Sequence, residues 1–593
     1  MRFKTPLVGI TTAGLMLALA ACGGSGGPAE DTNIDNEHAG AAGSGRDPKA
    51  TGPVEIKGAK EGGSINVISA TELQTMDPRN AYYASTIAIH GAFLSRTLTQ
   101  YKYDEKSDSM VLVPDLAKDL GTPNEDYTEW TFKLRTGIQD ENGTEVTAGA
   151  IERTVEASMD VDTYGDFPGN YLIDFLVGGD QIKDGKAEPQ GVDIDGVEAT
   201  DDHTLVFKTT KPFADLPAYA YFPLFSPTPE GADPATYEDK LVSTGPYKVK
   251  EYVRSKKLVL ERNPNWDAKT DPARTAYPDE YIFDFMLDTN KVDARMLADK
   301  GSDQTTMTMD DINAENYPKF KSEGEDRIVT GSSPLTAYLA PDYTKVTDIK
   351  VRKAIGLAFP YKEFYRTAGY IEGLTANPAN TIMPPGTPGY GTYDNPLGVE
   401  AGTTDPEAAK KLLEEAGATG YELKFAWSKD DPDGIWPKLK DLYTDAFTKA
   451  GFKVTSVNVP DAKFSDFQRD PEADINVRSY HSMGWFSDWP SGGSWFPPLL
   501  TTVDWKSTGS YGSNRAKFSE AEVDKKVDEI LAMPIEDQPK AWGELDQHIM
   551  ETYYPWVVTY QGGSVQTHGS KIGGHKIDNT MGGPTYKQLH VLQ

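Results

Sequence analysis

The sequence predicts an α/β chain, mixed α+β in detail, divided into two or three lobes. Three observations lead there. Removal of an N-terminal leader leaves about 570 residues, more than one compact core usually holds. Strand-like alternation is interleaved with amphipathic helical runs along the whole chain. The composition is that of a globular protein, 38% hydrophobic and 25% charged. Past the leader, no run offers the ~18 uncharged apolar residues of a membrane-spanning helix.

The leader comes first. Arg2 and Lys4 precede an uncharged apolar run over 7–21, and small residues close it. That pattern is a secretory signal, too short to span a bilayer. Its end, Leu19-Ala20-Ala21-Cys22, resembles the lipobox of bacterial lipoproteins, where the cysteine receives the lipid and becomes the first mature residue. The resemblance implies a signal over 1–21, lipidation at Cys22 and attachment to the extracytoplasmic face of the cell membrane. Cys22 is the single cysteine, so the body is expected to fold without disulfides. Residues 22–62 are mostly Gly, Ala, Ser, Asp and Glu, and read as a flexible tether with an r.m.s. span of roughly 35 Å.

The body opens with a strand-like run at Gly63-Ser64-Ile65-Asn66-Val67-Ile68. Trp130-Thr131-Phe132-Lys133-Leu134-Arg135 alternates apolar and polar residues as a half-buried strand does. Runs 204–208 and 257–261 read the same way. The clearest helix spans 405–417: Asp405 caps it, Pro406 suits its first turn and Gly417 ends it, with Ala409, Leu412, Leu413 and Ala416 as its apolar stripe.

Several function classes fall away or go unsupported. With 59 basic against 90 acidic residues the net charge is −31, which argues against nucleic acid. Outside the Gly-rich stretch that follows Cys22, no phosphate-loop, serine-hydrolase elbow or His-Glu-x-x-His motif is present. Without a body cysteine, thiol catalysis and cysteine zinc sites are impossible. The eight histidines are mostly isolated, with His568 and His575 a weak metal candidate. Acidic pairs such as Glu414-Glu415 read as solvated surface. No catalytic residue, metal site or cofactor is assigned.

Several blocks, in order, resemble the peptide-binding class of solute-binding proteins that serve ATP-binding-cassette (ABC) importers, the dipeptide, oligopeptide and nickel-binding superfamily. They are Met76-Asp77-Pro78; Glu129 to Ile138, followed by Asn142-Gly143 and Val146-Thr147-Ala148; Ser243-Thr244-Gly245-Pro246-Tyr247 through Asn263-Pro264; Val351-Arg352-Lys353-Ala354-Ile355; and the 405–417 helix. Ser243 stands where the family has glycine. The resemblance implies a two-lobed periplasmic-binding-protein-like fold, hinged, with the ligand in the interlobe cleft. Lobe 1 is expected over 61–288 plus 560–593, and lobe 2 over 289–559. The crossover strands map to 285–289 and 555–560.

Gly484-Trp485-Phe486-Ser487-Asp488-Trp489 is the most informative internal motif. A carboxylate beside indoles makes a dry slot for a cation. In the family, the acidic residue of this motif grips the α-amino group of a bound peptide. Carried over, that role falls to Asp488, with Gly484, Trp485 and Trp489 around it. The alternative is that both tryptophans pack in a core and Asp488 caps a turn. An extended stretch through Tyr82, Tyr83 and Ala84 could pair with peptide backbone, and Tyr480 and Tyr560 are further candidates. Two departures stand out: Ser482 and Met483 precede the motif where some peptide binders carry a basic residue, and Pro490-Ser491-Gly492-Gly493 follows it. Arg478 is nearby in sequence.

The expected function is a non-enzymatic, lipid-anchored receptor, monomeric, that captures short peptides for an ABC permease. The alternatives are another solute on the same fold (an oligosaccharide or a nickel complex), an extracellular hydrolase, or a surface lipoprotein with a protein partner.

Overall fold

The computed structural model describes residues 45–165, 168–183, 194–431, 434–478, 484–508 and 510–593. Cys22, the signal and residues 22–44 lie outside them, as does Tyr480. Among the described residues no helix is long and apolar enough to cross a membrane.

The first body is organised by a five-stranded sheet in the order Thr306–Thr308, Ser64–Ile68, Glu280–Asp284, Lys257–Arg262, Tyr247–Val253. Its first two pairings are parallel and its last two antiparallel. Ile65, Val67, Leu258, Leu260, Tyr281 and Phe283 are buried with Phe93, Tyr586 and Leu589. Phe93 is the centre of that core, its ring 4.5 Å from Tyr281 and 5.3 Å from Tyr586. A second core lies beneath the antiparallel sheet of Thr122–Pro123, Glu129–Lys133, Thr204–Lys208 and Val197–Asp201. Strands form at each expected run, 64–68 within 63–68, 129–133 against 130–135, 204–208 as expected and 257–262 against 257–261, with Trp130 and Phe132 facing inward.

Between the two cores sits a sealed ion cluster. Arg96 Nε lies 2.7 Å from Asp115 Oδ1, Arg274 Nη2 2.8 Å from Asp115 Oδ2, and Arg274 Nη1 3.0 Å from Asp271 Oδ2. Burial alone would raise Asp271, but Arg274 and Arg96 outweigh it and hold that carboxyl far below the usual range. Two positive and two negative groups cancel, which makes their burial tolerable.

The second body has its own large core, running from Ala337 to Tyr560. Its sheet follows the order Ala376–Asn377, Val557–Thr567, Ile328–Pro341, Val477–Arg478. A parallel pair, Glu422–Trp427 with Lys453–Asn458, lies alongside. The helix Pro406–Glu415 forms as expected: Ala408 N donates to Asp405 Oδ1 at 2.9 Å, and Gly417 takes a positive φ of 63°.

Three boundaries differ from expectation. The tether is shorter than residues 22–62. Gly45–Arg46 pairs with Val111 and Leu112, and Ala50 is buried with Val113 and Ala273. Gly52 lies so close that a Cβ would stand 2.3 Å from the carbonyl oxygen of Ala268. The small residues that read as flexible let the backbone lie flat on the body.

The second body also begins later than 289. Val292, Met296, Ile312 and Phe320 share a core with Ile68, and Thr306–Thr308 joins the first sheet. Finally, the 285–289 segment stays within the first body, between a strand and the helix Thr289–Ala298. The strands that cross are Ile328–Pro341 and Val557–Thr567, paired from Ile328↔Thr567 to Leu339↔Val557. Their ladder is interrupted between Ser332 and Thr336, where Gly331-Ser332-Ser333-Pro334 reads as a turn in sequence.

Asp115→Asn leaves Arg96 and Arg274 short of a buried counter-charge, so it is expected to cost about 3–5 kcal/mol. Urea unfolding followed by tryptophan fluorescence measures it; a loss below about 1 kcal/mol would refute the account.

Candidate functional site

The motif segment starts as a short strand, Gly484–Phe486, added to the crossing strand opposite Leu335–Ala337. Gly484 is required there, because a Cβ would lie 2.7 Å from Thr336 O. Beyond it the chain is held by a compact polar box. Ser487 Oγ and Ser494 Oγ lie 2.7 and 2.9 Å from Trp489 O. Trp495 Nε1 donates to Ser487 Oγ at 3.2 Å, and Trp485 Nε1 donates to Ser494 O at 2.9 Å. Trp485 and Trp495 thus belong to the second body, while Asp488 and Trp489 are turned toward the first.

Asp488 is the centre of the site. Its Oδ1 accepts from the Tyr82 hydroxyl at 2.7 Å and its Oδ2 from the Tyr171 hydroxyl. The Tyr221 hydroxyl donates to its main-chain oxygen at 2.8 Å. All three tyrosines come from the first body, so the carboxylate lies at the junction of the two. Burial pushes its pKa up to about 6, opposed by the two hydroxyls. Among the described residues no cation pairs with it. It is a desolvated anion held by neutral donors, an environment that favours an incoming cation.

Local sequence sets Tyr82. Asp77 caps the turn Pro78–Asn80 and pairs with Arg79 at 2.7 Å. Gln74 Oε1 then accepts from both Tyr82 N and Tyr83 N at 2.9 Å. Tyr83 is the last extended residue, and Ala84 opens the helix Ala84–Ile89. The strand-like stretch therefore stops short of Ala84, whose backbone is committed to a helix.

Trp489 is almost fully buried among Tyr171, Phe213 and Tyr219, with ring separations of 5.3, 5.9 and 5.4 Å. Its Nε1 donates to Asp215 Oδ2 at 2.9 Å. Tyr560 is not with this group: its hydroxyl donates to that of Tyr370 at 2.8 Å, and its ring packs in the second-body core. Arg478 is likewise committed elsewhere, 3.0 Å from Asp342, which Lys517 also approaches at 3.0 Å. His568 and His575 meet edge to face with ring centres 5.4 Å apart, and burial pushes His575 down to about 3. Among the described residues no trio of His, Cys, Asp or Glu could hold a metal.

Sequence reasoning missed Tyr171, Asp215, Tyr219 and Tyr221. The run Asp215-Leu216-Pro217-Ala218-Tyr219-Ala220-Tyr221-Phe222 carries a signal, one acidic residue ahead of three aromatics, but each aromatic alone reads as core. Tyr171 lies on the short helix Gly169–Phe175 with no local mark.

The sequence model of the family described as bacterial extracellular solute-binding proteins, family 5 (middle), matches residues 111–507. The chain belongs to that family. The family is one of binding proteins, so the hydrolase alternative is set aside. Among relatives of this solute-binding protein is the periplasmic oligopeptide-binding protein OppA of Escherichia coli K12, 26% identical over 460 residues, covering 74% of this chain and 80% of that protein. The probable D,D-dipeptide-binding periplasmic protein DdpA of the same organism is 22% identical over 492 residues, 78% and 81% of the two chains. In fold, the chain is similar to clavulanic acid biosynthesis oligopeptide binding protein 2, with a TM-score of 0.79 and 22% identity over 93% of this chain and 99% of that one. It is also similar to the unliganded open form of the murein tripeptide binding protein MppA, with a TM-score of 0.69 and 20% identity over 92% and 99%. The two-lobed fold expected from sequence is the one these structures share.

The raised carboxyl has a thermodynamic signature. A group whose folded pKa lies above its unfolded one destabilises the fold above the folded value, and that cost disappears as pH falls below the unfolded value. Between pH 8 and pH 4, ligand-free wild type is therefore expected to gain about 2 kcal/mol relative to Asp488→Asn. Thermal unfolding of the pair across that range checks it; parallel pH profiles would place the carboxyl at its ordinary pKa.

Proposed function

We propose that this solute-binding protein is a lipid-anchored receptor that captures short peptides outside the cell by their free α-amino group and delivers them to an ABC permease. The observation that carries the reading is the buried Asp488 carboxylate, bonded by the Tyr82 and Tyr171 hydroxyls with no counter-cation among the described residues. A carboxylate accepts about four hydrogen bonds, and the two hydroxyls leave room for an ammonium. That ammonium replaces lost hydration with a charge-assisted bond, while the aromatic faces of Tyr82, Tyr171 and Trp489 add cation–π attraction. Both bodies contribute, so the ligand is enclosed where they meet. The names of relatives such as OppA and DdpA support peptides as the ligand class.

Anchoring rests on the Leu19-Ala20-Ala21-Cys22 sequence, and the acidic charge of −31 suits a soluble body working as a monomer without nucleic acid. Cys22→Ser is expected to move the protein from the membrane fraction to the soluble extracytoplasmic fraction; retention in the membrane would overturn the anchor.

Binding is tested by calorimetry with free-amine and N-acetylated tri- to pentapeptides. Asp488→Ala is expected to weaken the free-amine peptides by about 30- to 150-fold, from loss of a buried charged bond. Equal binding of acetylated and free peptides would sink the amine-gripping role. The ammonium needs the ionised carboxylate, so a proton competes with the ligand. Affinity is expected to fall below pH 6, by up to about tenfold per unit.

A further inference from the structure

Near its C-terminus the chain turns back against the crossing strand. Ile577–Asp578 pairs with Gly583–Pro584 as a narrow hairpin. Asp578 holds the turn: its Oδ1 accepts from Thr580 N at 2.8 Å and Met581 N at 3.2 Å, and its main-chain oxygen accepts from Gly582 N at 2.7 Å. The hairpin lies on the break in the crossing ladder. A Cβ on Gly331 would stand 2.6 Å from Ile577, and one on Gly582 would stand 2.4 Å from the Ser333 hydroxyl. Met581 Sδ lies 4.0 Å from the Tyr221 hydroxyl, the group that donates to Asp488 O. The hairpin thus backs both the break and the Asp488 loop.

A cavity lies between this hairpin and the strand Thr99–Asp104, with about 320 Å³ of space between atoms, part of it open to solvent. Gln100, Asp578, Thr585 and Lys587 line it, each less than a tenth exposed. Lys587 Nζ donates to Gln100 Oε1 at 2.9 Å and to Tyr101 O at 2.5 Å, which uses two of its three N–H groups. Gln100 Oε1 also accepts from Tyr101 N at 2.9 Å, so the amide is fixed with Nε2 as its uncommitted end. Among the described residues Gln100 Nε2 and the Thr585 hydroxyl have no hydrogen-bond partner. Asp578 spends Oδ1 on its turn and keeps Oδ2 out of it. Burial pushes the Lys587 ammonium down to about 8, and Asp578 is the charge that most opposes this. The two nevertheless form no direct ion pair. Charges that couple without touching leave room for a polar go-between.

We infer that this cavity is a binding site for an ordered water that joins Lys587 Nζ, Asp578 Oδ2, Gln100 Nε2 and the Thr585 hydroxyl, completing a buried ion pair that the side chains do not close themselves. A water offers two donors and two acceptors. It accepts from Lys587 and Gln100 and donates to Asp578 and Thr585, so donors meet acceptors at all four groups. A small anion would suit the two donors but would face the Asp578 carboxylate. An apolar occupant would leave all four groups unpaired at a cost. Through the water the C-terminal hairpin is tied to the strand Thr99–Asp104, and Met581 is held behind Tyr221. The Asp488 loop is thereby supported from the rear by solvent built into the first body.

High-resolution diffraction from the wild-type protein is expected to show a water peak within hydrogen-bond distance of Lys587 Nζ, Asp578 Oδ2 and Thr585 Oγ1. A dry cavity, or a halide peak in its place, would overturn the site. In solution the sign of one substitution decides. Thr585→Val keeps the shape and removes the hydroxyl. Loss of a water-bonded hydroxyl is expected to raise the urea unfolding constant about 2- to 10-fold, whereas removal of a dry one would lower it by about fivefold or more. A constant that is unchanged or lower would overturn the site. Asp578→Asn keeps the turn acceptor and removes the charge. Combined with Thr585→Val it is expected to depart from additivity by about twofold or more, because both groups share the water. Independent effects would count against a shared water. If a variant fails to fold, the wild-type diffraction still decides. No peptide enters either measurement, so the outcome stands apart from whether the protein binds peptides.

Discussion

The molecule depends on one hydrogen-bonded ladder, the antiparallel pair Ile328–Pro341 and Val557–Thr567 that passes between the bodies. Pairing constrains how the bodies translate relative to one another, while the break between Ser332 and Thr336 leaves a place to bend. The Asp488 loop is attached at that same place, since Gly484–Phe486 pairs with Leu335–Ala337. A force on Asp488 or Trp489 is therefore applied beside the break in the ladder.

The protein buries charge in two contrasting ways. Arg96, Asp115, Asp271 and Arg274 neutralise one another and leave nothing for a visitor. Asp488 has only neutral hydroxyl donors, Asp215 has an indole and a hydroxyl with Arg46 as a minor counter-charge, and burial raises both carboxyls. The first arrangement holds a body together. The second leaves Asp488 without a counter-charge at the junction, at a cost that an incoming cation would offset.

Much of the local structure was legible in the sequence. Strand-like runs at 63–68, 130–135, 204–208 and 257–261 and the capped helix at 405–417 became the strands 64–68, 129–133, 204–208 and 257–262 and the helix 406–415. What failed was information that local pattern does not carry. The crossing strand was hidden because Gly331-Ser332-Ser333-Pro334 has turn chemistry, and residues 45–62 because small residues pack as well as they flex. The Gly484 to Trp489 motif drew attention to Asp488, but its partner Tyr82 is 406 positions away, and Tyr171 carries no mark at all. A core aromatic and a binding aromatic are the same residue until the fold decides which atom its hydroxyl meets.

The first body is assembled from both ends of the chain. Tyr586 and Leu589 sit in the same core as Ile65 and Phe93, and Lys587 Nζ donates to Gln100 Oε1 across 487 positions. The second body's core, by contrast, is drawn from one continuous stretch between Ala337 and Tyr560. A chain made N-terminus first can complete the later body while the earlier one still waits for Tyr586 and Leu589. Order of folding can thus run against order of appearance. Apolar surface of residues 64–309 then stays exposed to aggregation until residues 586–589 join it.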